Sequence, residues 1–177
     1  PVIVEAGIDQ HFKITAQQLE AAITPRTKLL VINSPSNPTG VSYNAAELTA
    51  LSEVLRQHPQ IYIATDDMYE HIQWTGEKFC NILNVCPELY DRTIVLNGVS
   101  KVYSMTGWRI GYCGGPKDLI NAMTNIQSQS TSNPTSISQV AAEAGLNGDQ
   151  SCIGVMTKAF KERHAFVSGA LVIFFFC

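Results

Sequence analysis

The sequence predicts an α/β fold, a mostly parallel sheet flanked by helices. The first sign is "TKLLVIN" (27–33), a near-continuous apolar run bounded by the turn-rich "SPSNPTG". That pattern is expected of a strand buried on both faces of a parallel sheet. The second is the segment that follows, where Leu48, Leu51 and Leu55 fall at i, i+3 and i+7 on one helical face. The third is the recurrence of short strand-like runs, "IYIAT" (61–65) and "RTIVLNG" (92–98), since strand, helix and strand in short order favour right-handed crossovers.

The elements follow in order. An apolar run, "VIVEA" (2–6), comes first. Thr15 is placed to cap a helix through "AQQLEAAI", with Gln18 in the capping-box position, and Pro25 stops it. After the strand at 27–33, Asn44 caps the leucine-rich helix with Glu47 three residues on. The strand at 61–65 ends in the polar group Asp66, Asp67 and Tyr69, and the strand at 92–98 precedes Lys101. "WRIGYCGG" (108–115) reads as a further strand broken by glycines. Pro116 then suits the first turn of a helix through "KDLINAMTNIQS", and two more helices are predicted over 135–146 and 151–167. No internal repeat is visible and no linker divides the chain.

Composition narrows the function classes. The 177 residues are 45% apolar and 15% charged, which suits one globular domain that buries roughly 70% of its unfolded surface. The net charge of −3 gives no electrostatic footprint for nucleic acid or an anionic membrane; the basic cluster "KAFKERH" (158–164) reads as a solvated helix face. Five cysteines without a C-x-x-C pair suggest neither a disulfide framework nor a zinc ribbon, so a reducing, cytoplasmic setting is expected. Four scattered histidines, none at i, i+4 spacing, argue against a metal site. Pro1 is not an initiator methionine, so the N-terminus reads as cut rather than targeted. "ALVIFFFC" (170–177) is too short for a bilayer, which needs about 20 residues, and reads as a core strand or an aggregation-prone segment.

Ligands of open parallel sheets collect beyond the carboxyl ends of the strands. Three successive strands deliver polar residues there: Asn37, then Asp66 and Tyr69, then Lys101. Singly, each has a structural explanation: a turn, a helix cap, packing, a surface charge. "GVSK" lacks the G-x-x-x-x-G-K-[ST] spacing of a phosphate loop, and "GYCGGP" lacks G-x-G-x-x-G.

Together the surrounding motifs are more specific. "SPSNPTG" (34–40), "TDDMYE" (65–70) and "SKVYSMTGWRIGY" (100–112), in that order, resemble the class I/II aminotransferases, pyridoxal-phosphate enzymes of the aspartate aminotransferase fold type. The likeness runs from about Ile3 to about Val167, includes "NPTSISQVAAEAGLNG", and is greatest to the branch carrying "MTGWRIGY". The resemblance implies that the chain is the central part of the large cofactor-binding domain of fold type I. It implies Lys101 as the lysine that forms the Schiff base with the cofactor aldehyde and moves the substrate α-proton. Arg109 and, less specifically, Ser100 are implied as phosphate contacts, and Asp66 as the partner of the pyridine nitrogen, with adjacent Asp67 the competitor. Tyr69 and Asn37 are implied at the cofactor's phenolic oxygen. Lys101, Asp66 and Tyr69 are thus the expected catalytic residues.

By the same resemblance, residues 1–167 are part of the large domain, 168–177 depart from the family pattern, and a small C-terminal domain is missing. The family's small-residue phosphate loop, its ring-stacking aromatic and its substrate-gripping arginine are also not found. Amino acid and 2-oxo acid substrates follow from the family, aspartate-like or broad-range from the branch, and a homodimer of the full-length protein from "QSQSTSNPTS". The alternatives are a lyase or decarboxylase on the same cofactor, or a non-catalytic remnant.

Overall fold

The computed structural model of the protein describes residues 1–176. The N-terminal segment is extended and lies outside the sheet, with Val2 and Ile3 exposed. The first helix, α1 (Ala16–Ala22), begins with the predicted capping box: the Gln18 N–H donates to the Thr15 hydroxyl and the Thr15 N–H to the Gln18 side chain. After β1 (Leu29–Asn33), α2 (Ala45–Gln57) is capped in the same way by Asn44 and Glu47. Next come β2 (Tyr62–Asp66), the short α3 (Ile82–Val85), β3 (Thr93–Gly98), the one-turn α4 (Val99–Val102) and β4 (Gly111–Gly114). Three further helices follow: α5 (Lys117–Ser128), α6 (Ser136–Asn147) and α7 (Ser151–Phe176).

The sheet has the order β1-β2-β3-β4. The first two pairings are parallel and the last is antiparallel, with Gly98 opposite Gly111. Both glycines sit at a close approach: a Cβ on Gly98 would stand 3.2 Å from the Gly111 Cα, and one on Gly111 would stand 3.0 Å from the Asn97 carbonyl oxygen. The sheet is therefore mostly parallel, as predicted, with one reversed edge.

The core forms on one face of β1 and β2. Leu48, Leu51 and Leu55 of α2 pack against Ile61, Ile63, Ile82 and Leu89, with Leu19 of α1 at the margin. Arg92 ties this layer together, its guanidinium donating to the carbonyls of Leu55, His58 and Ile61 at 2.6, 2.9 and 2.7 Å. Those carbonyls lie at and beyond the C-terminal end of α2, where helix geometry leaves acceptors unpaired.

Two expectations are corrected. β1 is not buried on both faces, because Leu29 and Val31 are 55% and 60% exposed while Ile32 is in the core. The cause is layer geometry: β1 is an edge strand, α1 and α2 cover one face, and the two-residue period puts Leu29, Val31 and neighbouring Tyr62 on the other. The terminal apolar run is not a strand either, since α7 continues through Phe176. Cys177 and the side chains of 172–176 lie outside the described residues. Among the described residues no helix is long and apolar enough to cross a membrane, and no His/Cys/Asp/Glu group could hold a metal ion.

Candidate active site

Parallel pairing brings the carboxyl ends of β1, β2 and β3 to one edge, at Asn33, Asp66 and Gly98. The turn after β1 is fixed by its own polar groups: the Asn37 N–H donates to Asn33 Oδ1 at 2.8 Å, and the Tyr43 N–H to the Ser34 hydroxyl. Gly40 closes the turn at φ 71°, a conformation that favours glycine. The Ser34–Pro35 and Asn37–Pro38 peptides within it are cis. Across the edge, Asn37 Nδ2 donates to the Tyr69 hydroxyl at 3.3 Å. Tyr69 stands in the turn after β2, where the Glu70 N–H donates to the Asp67 carbonyl.

Lys101 projects from α4, a single turn anchored by buried Val99 and Val102. Its Nζ lies 5.8 Å from the centre of the Tyr69 ring. Lys101, Tyr69 and Ser100 line a common cavity of about 420 Å³ with Ser104 and Thr106. Asn37 is joined to that group through Tyr69, whereas Asp66 and Arg109 are not among the cavity-lining residues.

The two adjacent aspartates differ. Asp67 is 1% exposed, and both of its oxygens are engaged, accepting from the Thr65 hydroxyl at 2.6 Å and from Asn81 Nδ2 at 2.7 Å. Burial pushes its carboxyl above the usual range, against the pull of the Asn81 and Thr65 hydrogen bonds. Asp66 is half-buried, and its Oδ1 accepts the Met68 N–H. Its Oδ2 makes no hydrogen bond and no ion pair among the described residues. Asp67 is thus committed to the fold, while one oxygen of Asp66 has no partner among the described residues. Arg109 is exposed at the same edge, in the left-handed region at φ 50°, with one hydrogen bond from Nη1 to the Thr106 carbonyl.

Comparison with known proteins decides the family, because the profile of aminotransferase class I and II matches residues 2–173. The chain belongs to that family. It is 65% identical over 171 residues to the aspartate/prephenate aminotransferase of Nitrosomonas europaea, covering 97% of this chain and 43% of that aminotransferase. It superposes on the crystal structure of the Rhizobium meliloti aspartate aminotransferase with a TM-score of 0.92 at 50% identity, covering 94% of this chain and 42% of that one. For the Thermus thermophilus aspartate aminotransferase with maleate the TM-score is 0.88 at 37% identity, covering 97% of this chain and 44% of that one. The chain therefore spans less than half the length of the aminotransferases it matches.

Sequence reasoning missed one wall of this cavity, made by Ile72, Trp74 and Phe160. Trp74 packs against the His164 ring at 5.6 Å between centroids. Phe160 lies inside the basic cluster taken as solvated, yet it is half-buried. A signal existed: Ile153, Met156 and Phe160 fall at i, i+3 and i+7 and form a half-buried stripe on α7.

Proposed function

We propose that this chain carries the lysine-bearing part of a pyridoxal-phosphate-dependent aminotransferase, which moves an amino group between an amino acid, aspartate-like or broad-range, and a 2-oxo acid. The observation that carries the reading is the convergence of Lys101, Tyr69 and Asn37 at the carboxyl edge of a parallel sheet, with Lys101 Nζ 5.8 Å from the Tyr69 ring. A family assignment alone does not place chemistry on particular residues; this grouping supports it.

The donors suit the cofactor. Because Asn37 Nδ2 donates to the Tyr69 hydroxyl, the phenolic proton and the second amide proton remain for an acidic phenolic oxygen. The Arg109 guanidinium has most of its N–H groups unengaged, so it and the Ser100 hydroxyl match a phosphate. The Oδ2 of Asp66 can accept from a ring N–H. Bound there, pyridoxal phosphate supplies the sink for the electron pair left when the substrate's α-proton departs. Lys101 would hold the cofactor's aldehyde carbon and, as a free amine, would move the proton at the substrate α-carbon as general base and acid. Ile72, Trp74 and Phe160 give the cavity around that amine a hydrocarbon wall.

Residues 1–167 are read as part of the large cofactor-binding domain, of a protein that is cytoplasmic and homodimeric. Exposed Ile126, Ile137 and Val140 on α5 and α6 support a partner surface. The test is chemical. The purified chain is mixed with pyridoxal phosphate, reduced with borohydride and digested, and the added mass is located. It is expected on Lys101 and is lost in Lys101→Ala. Label spread over surface lysines such as Lys78 and Lys158, with none favoured, would sink the reading.

A further inference from the structure

The proposed site is carried by two short elements, the turn with Tyr69 and the one-turn α4 with Ser100 and Lys101. An isolated helical turn does not hold its own position, because nucleation costs more than one hydrogen bond returns. Its placement comes from its flanks. On the inner side Val99 is fully buried and Val102 nearly so. On the N-terminal side α4 has no side-chain cap, and a different device is present. Asn97, next to last in β3, accepts the Gly98 N–H on its Oδ1 at 2.7 Å and donates from Nδ2 to Glu70 Oε1 at 2.6 Å. Glu70 directly follows Tyr69.

This relay lies where the backbone has little slack. A Cβ on Gly98 would meet Met68, Gly111 and Ile110 at 3.0 to 3.3 Å, so the strand end is clamped between the turn and β4. The Glu70 side chain is 27% exposed, and its charge helps burial to push the Tyr112 phenol upward. Tyr112 is the register partner of Asn97. His71 Nε2 lies 3.4 Å from the same Glu70 oxygen, but its side chain is 45% exposed and the contact is longer than the bond to Asn97. The short bond between an ionised carboxylate and a half-buried amide is the stronger tie.

We propose that Glu70 is a positioning residue: through Asn97 it locks α4, and so Lys101, in register with Tyr69. The inference rests on the reading of Lys101 as the cofactor lysine. Glu70 itself touches neither cofactor nor substrate; it sets the separation of the two groups that do.

The test uses polarity exchange in the full chain. Glu70→Ala removes the acceptor, and Asn97→Asp sets two carboxylates against each other at nearly constant volume. Asn97→Asp combined with Glu70→Gln restores a donor facing an acceptor and keeps an oxygen for the Gly98 N–H. The readouts are the affinity for pyridoxal phosphate by absorbance titration and the extent of borohydride-fixed label at Lys101, each scaled to the folded fraction. Either single variant is expected to bind about tenfold more weakly, as for loss of one hydrogen bond to a charged group. The double variant returns to within about threefold of the parent, a non-additivity that contacting partners show. A double variant that stays at the Asn97→Asp value overturns the proposal. So does a Glu70→Ala chain with a lower melting temperature but unchanged affinity in its folded fraction, since the role would then be structural only. A parent chain that does not label at Lys101 overturns the underlying reading instead, and is told apart by the parent alone.

Discussion

The layer built by α2 and β2 and the helices α5 and α7 are held by different means. In the first, Leu51, Leu55, Ile61 and Ile63 each expose 1% of their surface or less. In the second, α5 has no buried residue, Ile126 is 72% exposed on it, and Val155 and Phe166 of α7 are 71% and 77% exposed. The segment from α6 onward meets the rest through a few polar ties, Tyr103 to Gln150, Ser138 to the Trp108 carbonyl and Thr157 to the His71 carbonyl, and through the contact of the Trp74 and His164 rings. The candidate site lies on the seam between the two regions. Tyr69, Ile72, Trp74 and Lys101 come from the side of the sheet, and only Phe160 of the apolar wall comes from α7.

Truncation inside and outside the packed layer is the sharpest way to break the contrast. Leu55→Ala should cost about 3 kcal/mol by urea unfolding, because it opens a cavity in a close-packed core. Ile126→Ala should stay within about 0.5 kcal/mol. Equal losses would erase the distinction. Next in size is Arg92→Met, expected to lose about 2 kcal/mol, since three carbonyls around the end of α2 lose their donor and no carboxylate partner is freed in exchange. A loss as small as that of Ile126→Ala would show that water replaces the guanidinium without penalty.

The smallest effect is a slope. Burial raises the Asp67 carboxyl, so between the ordinary carboxylate value and the raised one the folded chain holds more protons than the unfolded chain. Stability contributed by this group therefore falls as pH rises through that window. In Asp67→Asn that part of the pH dependence should vanish, as read from unfolding midpoints measured across the acidic range. Parallel curves for the two chains would place the group's proton elsewhere.

Much of the packed region was legible in the sequence, because its signals are local. Thr15 with Gln18 and Asn44 with Glu47 declare helix starts within four residues, and the leucines of α2 declare their inward face by spacing. The motif residues were legible by resemblance, and parallel pairing sets three of their segments at one edge. The exposed face of β1 was not legible, since an apolar run reports that a strand can be covered and not whether a layer covers it. Glu70 and Asn97 are 27 residues apart and Tyr69 and Phe160 farther still, so neither contact leaves a periodic trace. Asp67 stood in the sequence as the competitor of Asp66, and only the long-range bond to Asn81 beside the local one to Thr65 sets the two apart.

The pairing of Gly98 with Gly111 draws residues 99–110 into a noose whose two ends are knotted together in the sheet. Lys101 and Arg109 hang on opposite arms of that noose. Ordering the segment belongs to the making of the sheet, so the cofactor proposed to reach both arms would meet a snare already set, with little chain entropy left to lose.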